Sequence, residues 1–332
     1  MRRQLSIIGL TILALLAMDI AVGAALEVKG GGLARYFDYG RSVPGKLDRW
    51  IAQPNAKGNM FDVAWRPEMI AASAADFAAE DPDLRIVLRA GPSASPNFTY
   101  AAFKQDRANR RPGDVAVLGI LSSSVAAMAS MSNRTWNFEL PAPFTYPIYW
   151  PDADGLRAVE PLVNSAAAER AAMTDPTLGG PWQAQLAAED LFHTPYAFAA
   201  PWLDVSPFAR QVRRALAVGD IRRRTAAILA EDGPYPYAEV LRRMIRDFVA
   251  TARADGQMPV VFLIQGRDRA DPDLLAITGS TLAALNAPHL ATADLVDTRL
   301  LSNFAPDSHY TAAANRIFAA TFNSILTQGD AR

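Results

Sequence analysis

The stretch GDVAVLGIL, residues 113–121, is the part of the sequence that decides the fold. It is almost continuously apolar, and three serines, Ser122 to Ser124, follow it directly. A strand that is buried on both faces has this pattern, whereas a half-exposed strand alternates apolar and polar residues. We therefore predict an interior strand of a mostly parallel sheet, with a polar loop at its carboxyl end.

The chain on both sides of this strand alternates between strand-like and helix-like segments. Further strands are predicted at residues 60–65, 84–91, 258–264 and 289–296, and helices at residues 68–84, 100–111, 237–256, 271–288 and 310–326. This alternation predicts an α/β domain, a mostly parallel sheet with helices on both faces. The alternation stops between about 125 and 236, so we predict that this stretch is a long insertion covering a sheet edge or the mouth of a site.

Composition excludes several classes of function. The 332 residues are 50% hydrophobic and carry a formal charge of −1. The sequence shows no basic tail and no known nucleic-acid-binding motif, so nucleic-acid binding is not expected. The chain has no cysteine, which excludes disulfides, thiolate zinc sites and a cysteine nucleophile. Three histidines argue against a multi-histidine metal centre, and no glycine-rich phosphate loop is present. We expect no metal and no cofactor.

The N-terminus predicts export. Two arginines, Arg2 and Arg3, precede an apolar run from Leu5 to Leu26 that is long enough to cross a bilayer. A cleaved signal peptide is the competing interpretation, favoured by Asp19, which is costly in lipid, and by small residues around 23–25. A third interpretation is that the apolar N-terminal segment is a buried helix of the core. We predict a signal-anchor or signal peptide over residues 1–28, a tether and lead-in over 29–59, and the α/β domain over 60–330.

One short loop near the C-terminus carries a candidate acid–base pair. The sequence NFAPDSH, residues 303–309, precedes the last predicted helix. A histidine that acts as a general base needs an acceptor on its second ring nitrogen, and Asp307, two residues before His309, can supply it. The alternative is that Asp307 or Ser308 merely caps the helix that follows.

The stretch FAPDSHYTAAANRIFAATF, residues 304–322, resembles the closing block of the SGNH (GDSL-type) hydrolase superfamily, and the strand, helix and strand before it resemble the last strands of that fold. The spacing here is Asp-x-His, where many members have Asp-x-x-His. The resemblance implies a three-layer, flavodoxin-like α/β fold, a nucleophilic serine in a Gly-x-Ser context after the first strand, an oxyanion-hole glycine after the second and an asparagine after the third.

Residues 91–93 offer Gly91-Pro92-Ser93, so the resemblance implies Ser93 as the nucleophile, with Asp307 and His309 completing a triad. Backbone N–H groups at Ser93 and near Gly119 would then face the oxyanion. The spacing favours a second assignment, in which residues 84–91 form the second strand and Gly91 is the oxyanion glycine. No serine then follows the first strand. Other candidates in the loops are Ser42, Ser95 and Asn97, and Ser122 and Ser123 occupy the place of the family's asparagine.

The function implied by this resemblance is that of an exported serine hydrolase or acyltransferase acting on O-acyl esters, either of a cell-envelope or secreted glycan or of a small molecule. The expected location is the inner membrane, facing the periplasm, or the secreted fraction, with envelope polysaccharide machinery as a possible partner. The alternative is a catalytically inactive scaffold or glycan-binding partner of the same fold. Labelling with a serine-directed reagent separates the two.

Overall fold

The computed structural model describes residues 2–29, 94–136, 145–194, 205–306 and 308–329. These residues form a mixed α/β structure, which confirms the fold class at this level. The helices are α1 Arg2–Lys29, α2 Pro96–Gln105, α3 Asn133–Trp136, α4 Ala166–Thr174, α5 Pro176–Glu189, α6 Pro207–Ile228, α7 Tyr237–Ala254, α8 Leu274–Ala284, α9 Thr292–Leu295 and α10 Ala312–Gly329. The strands are β1 Val115–Leu121, β2 Ile148–Asp152, β3 Gly155–Val159, β4 Met258–Ile264 and β5 His289–Ala291.

Three strands form a parallel sheet in the order β1-β4-β5. The β1–β4 ladder runs without interruption from the Val115–Met258 pair to the Leu121–Ile264 pair. The long segment between β1 and β4 ends in helix α7, and α8 connects β4 to β5, so each parallel pair is joined by a crossover that contains a helix. Strands form at 115–121 and 258–264 as predicted. Within the described residues, however, β1 is an edge strand whose Val115 and Val117 are exposed, so the predicted burial on both of its faces is not confirmed. All three strands end at one edge of the sheet, and the loops that follow them meet there.

Helix α7 confirms the helix predicted over residues 237–256, whereas the helix predicted at 68–84 lies outside the described residues. Its apolar side chains recur at helical spacing, and Leu241, Met244 and Phe248 are fully buried. The chain leaves the helix at Gly256, whose φ of +71° is the left-handed conformation that glycine adopts at low cost.

Two hydrophobic clusters lie on opposite faces of β4. Val261 and Leu263 belong to the larger cluster, which α7 and β1 share, whereas Val260 packs with Phe318 of α10. Because successive side chains of a strand point to opposite faces, the sheet is covered by helices on two sides within the described chain.

The predicted insertion contains a β-hairpin that we did not predict. β2 and β3 pair antiparallel, and Ile148, Tyr149 and Trp182 of α5 join the same buried cluster as β1 and α7. The described part of residues 125–236 therefore shares one buried cluster with the central sheet.

The predicted strand at 289–296 is too long. Only His289–Ala291 pairs with β4, and Thr292–Leu295 form the helical turn α9. Thr292 ends the strand because its side chain accepts a hydrogen bond from the backbone N–H of Gln265 (2.9 Å). The predicted strands at 60–65 and 84–91 lie outside the described residues.

Helix α1 is long and apolar enough over Ser6–Val28 to span a membrane or to serve as a signal sequence. Its single acidic residue in the apolar run has partners elsewhere in the chain. Asp19 Oδ1 accepts hydrogen bonds from Ser206 Oγ (2.6 Å) and from the backbone N–H of Phe208 (2.9 Å), at the start of α6. The carboxylate thus caps the N-terminus of another helix, where a negative charge is stabilised.

Candidate active site at the carboxyl edge of the sheet

The loop that carries His309 is attached to the carboxyl edge of the sheet through its neighbour, Tyr310. The Tyr310 hydroxyl donates to the carbonyl oxygen of Gln265, directly after β4, and lies 3.0 Å from Thr292 Oγ1, directly after β5. The Tyr310 ring stacks on Phe304 at a centroid distance of 4.6 Å. This packing fixes both ends of the loop, and the His309 side chain is exposed to solvent.

Ser308 adopts a left-handed conformation in this loop, with φ of 75°. Its N–H donates to the carbonyl of Ala305 (2.9 Å), and the N–H of Ala305 donates to the carbonyl of His309 (2.7 Å). A non-glycine residue with positive φ costs free energy, so the surrounding hydrogen bonds hold the turn in place. Asp307 lies outside the described residues, so its predicted contact with His309 stays a prediction.

Ser122 is buried directly after β1, where its hydroxyl makes two hydrogen bonds. Its Oγ donates to Asp271 Oδ2 (3.0 Å) and accepts from the backbone N–H of Gly266 (2.7 Å). A Cβ atom at Gly266 would lie 2.5 Å from Asp271 Oδ2, so a larger residue there would displace the Asp271 carboxylate. Burial raises the pKa of the Asp271 carboxyl, against the hydrogen bond from Ser122, which lowers it. These hydrogen bonds join β1 to the loop after β4, and they use the hydroxyl that was expected in the place of the asparagine of the SGNH family.

Asn97 is fully buried at the start of α2. Its Nδ2 donates to the carbonyl oxygens of Met128 (2.7 Å) and Pro147 (3.0 Å). The side chain therefore joins α2 to the loop after β1 and to the start of β2. Ser95, another candidate, is also buried, and its Oγ caps α2 by accepting from the N–H of Phe98 (3.4 Å).

The remaining sequence candidates are divided between the described and undescribed parts of the chain. Gly119 lies within β1, paired with Phe262, and Ser123 is exposed just beyond the strand. Ser42, Gly91 and Ser93 lie outside the described residues, so the nucleophile and the oxyanion glycine stay predictions.

An open cleft of about 1060 Å³ lies at the same edge, between the loops after β4 and β5. Arg267, Arg269 and Arg299 line it together with five aspartates between 268 and 297. The described residues contain no group of three or more His, Cys, Asp or Glu side chains placed to hold a metal ion. Because the cleft is lined by arginines and aspartates, it can offer both cationic hydrogen-bond donors and carboxylate acceptors to a polar ligand. Sequence reasoning missed this cleft, although the charged run RDRADPD at 267–273 marks one wall.

A buried aspartate, Asp190, organises the loop that follows β1. Its Oδ2 accepts from Ser130 Oγ (3.0 Å), Thr135 Oγ1 (2.7 Å) and the N–H of Met131 (3.0 Å), and its Oδ1 accepts from the N–H of Phe192 (2.8 Å). Burial raises the pKa of Asp190 to about 6, although these hydrogen bonds act in the opposite direction.

This shift predicts a pH dependence of stability. The folded state binds the Asp190 proton more tightly than the unfolded state does. The protonated carboxyl therefore stabilises the folded state fully below the unfolded pKa of about 3.9, and this stabilisation is lost as pH rises through about 6. We expect the difference in free energy of unfolding between the wild type and Asp190→Asn to fall from pH 4 to pH 7. Urea unfolding at several pH values measures it, and a constant difference would contradict the assignment.

Removal of the Tyr310 hydroxyl should loosen the His309 loop. Tyr310→Phe keeps the ring contacts with Phe304 and Phe318 but loses the hydrogen bond to Gln265, so we expect the free energy of unfolding to fall by about 1 kcal/mol. Urea denaturation measures the change, with Tyr237→Phe, at the start of α7, as the control. An unchanged stability together with unchanged protection of the residue 308–311 amides in hydrogen exchange would contradict this role.

No family model, curated protein or solved structure matches the chain.

Proposed function

We propose that the protein is a membrane-anchored, SGNH-like serine hydrolase or acyltransferase that acts on O-acyl esters of a cell-envelope or secreted glycan. The observation that carries the proposal is the position of the His309 loop. Tyr310 binds it to the residues that directly follow β4 and β5. In parallel α/β sheets the catalytic loops lie beyond the carboxyl ends of the strands.

The order of the strands also supports the proposal. The SGNH resemblance makes residues 115–121, 258–264 and 289–291 successive strands of a three-layer fold. The three strands are neighbours in that order and parallel, with helices packed on two faces.

In the proposed reaction His309 takes the proton from Ser93 Oγ as that oxygen attacks the acyl carbonyl carbon. Asp307 orients the imidazole and stabilises its cationic form. Backbone N–H groups, at Ser93 and near Gly119 or at Gly91, hold the oxyanion. The C–O bond to the glycan then breaks, and the leaving hydroxyl takes the proton from His309. Water, in hydrolysis, or another hydroxyl, in transfer, then attacks the acyl-serine with His309 again as the base.

The cleft supports a hydroxyl-rich substrate. Arginine side chains donate hydrogen bonds and carboxylates accept them, so Arg267, Arg299 and the aspartates near them can bind both functions of a sugar hydroxyl. An apolar acyl substrate alone would not need a charged wall of this kind.

The contact of Asp19 with α6 supports an uncleaved anchor. The charge that argued for a cleaved signal peptide is used to cap α6, and cleavage near residue 24 would remove that cap. With Arg2 and Arg3 held on the cytoplasmic side, the domain would face the periplasm.

Acetate release tests the proposal. We expect the full-length chain in detergent to release acetate from an O-acetylated polysaccharide, and Ser93→Ala to abolish release. Ser324→Ala, an exposed serine of α10, is the matched control and should keep full activity. Folded wild-type protein that releases no acetate from the polysaccharide or from an activated acetyl ester, with or without an added acceptor, would contradict the enzyme proposal.

One observation favours a second candidate, a non-catalytic scaffold that binds glycan. Ser122 and Asn97 are both buried and hydrogen-bonded within the protein. A scaffold would bind the polysaccharide in the same assay without releasing acetate, and Arg299→Ala would weaken that binding.

A further inference from the structure

The outer face of α6 is apolar over its first half. Between residues 205 and 219 the exposed residues are Val205, Phe208, Val212, Ala215, Leu216 and Gly219. Val205 is 80% exposed, Val212 44% and Leu216 49%. Spacings of three and four residues place these side chains along one side of the helix. A surface helix in water normally presents polar residues on its outer side, so an apolar outer face indicates contact with an apolar environment.

The face begins where α6 meets α1. Asp19 caps α6 at Ser206 and Phe208, and Gly23 of α1 approaches the ring of Pro207. The exposed apolar side chains of α1, such as Ile20, which is 73% exposed, therefore continue into those of α6.

The distance along α1 from Arg2 to the contact with α6 is close to the thickness of the hydrocarbon layer of a bilayer. At 1.5 Å per residue, the 17 residues from Arg2 to Asp19 cover about 25 Å. The hydrocarbon layer is about 30 Å thick, so arginines in the inner headgroup layer would leave Asp19 near the outer boundary. The tip of α6 would lie at the same depth.

Charge changes sharply at the far end of the apolar face. Arg222 and Arg223 are both exposed, and they follow Gly219 by one turn. Arg223 pairs with Asp220 at 2.9 Å. Helices that lie in the membrane interface place arginine at the border of their apolar face, where the guanidinium reaches lipid phosphates.

We infer that the apolar face of α6 lies in the headgroup–acyl boundary of the bilayer that α1 spans, on the outer leaflet, with Arg222 directed to lipid phosphate. α6 then fixes the orientation of the α/β domain against the membrane, which a single tethering helix would not do. The inference rests on the proposed anchoring of α1.

The chain has no cysteine, so a single introduced cysteine can be labelled uniquely. We would reconstitute full-length Leu216→Cys, carrying an environment-sensitive fluorophore, in phosphatidylcholine–phosphatidylglycerol vesicles with and without lipids that bear a shallow nitroxide quencher. Leu13→Cys in α1 reports the anchor. Leu178→Cys in α5, 52% exposed, is the matched control.

We expect blue-shifted emission and several-fold stronger quenching at position 216 than at position 178. An unquenched label at 216 beside a quenched label at 13 would overturn the inference and leave the anchor standing. Unquenched labels at both positions would overturn the anchor and the inference together. Concentration-dependent disulfide cross-linking through Cys at 216, without quenching, would assign the face to a second copy of the chain and overturn the lipid assignment.

Discussion

His309→Ala should lower the rate of acyl-ester hydrolysis by about 10⁴-fold, because loss of the general base leaves the serine hydroxyl protonated and weakly nucleophilic. The imidazole is exposed, so we expect its removal to leave the free energy of unfolding nearly unchanged. Turnover of an activated acetyl ester by the full-length chain in detergent measures the loss, and urea unfolding of the same sample shows that the fold persists.

The matched control is His289→Ala. His289 is also exposed, but it begins β5 at the amino end of the strand, and its Nδ1 lies 3.1 Å from the carbonyl oxygen of Ala287. We expect near wild-type turnover from this variant. An H309A protein as active as H289A would show that the loop has only a structural role.

Asp190→Ala should destabilise the protein by about 3 to 5 kcal/mol. The substitution leaves the buried N–H groups of Met131 and Phe192 without their acceptor, at about 1 to 3 kcal/mol each, and adds a small cavity. Ser130 and Thr135 lose less, because each also lies near the carbonyl oxygen of Ser132. Urea unfolding of the full-length chain measures the change.

Glu189→Ala, at the neighbouring exposed carboxylate, is the control and should stay within about 0.5 kcal/mol of the wild type. Asp190→Asn should lie between the two, because it keeps one acceptor oxygen in the same shape. A loss below about 1 kcal/mol in Asp190→Ala would mean that the loop after β1 does not depend on this carboxylate.

Local sequence pattern predicted the strands β1 and β4 because each has at least one buried face. β1 and β4 are apolar along their whole length, and each is covered on at least one face by helices. Pattern failed at the β2–β3 hairpin for a local reason. Pro151 lies inside β2 and argues against a strand, yet the hairpin tolerates it opposite Leu156. The turn before Gly155, whose φ is +154°, was the available signal.

The contacts at the carboxyl edge of the sheet could not be predicted from the sequence, because they join distant parts of the chain. The position of Ser122 at the end of β1 followed from sequence, but its partners Gly266 and Asp271 are 144 and 149 residues away. Asp19 shows the same limit, since its partner Ser206 is 187 residues away. A charge that is costly alone in lipid becomes a helix cap once its distant partner is known.

The central claim is that His309 activates a serine at the carboxyl edge of the sheet. The most direct measurement is reaction of the full-length chain with a serine-directed fluorophosphonate, followed by intact mass and peptide mapping. We expect one adduct per chain, on Ser93, that Ser93→Ala and His309→Ala both lose and Ser324→Ala keeps. Folded wild-type protein that gains no adduct, or gains it on another serine, would show that His309 does not activate Ser93.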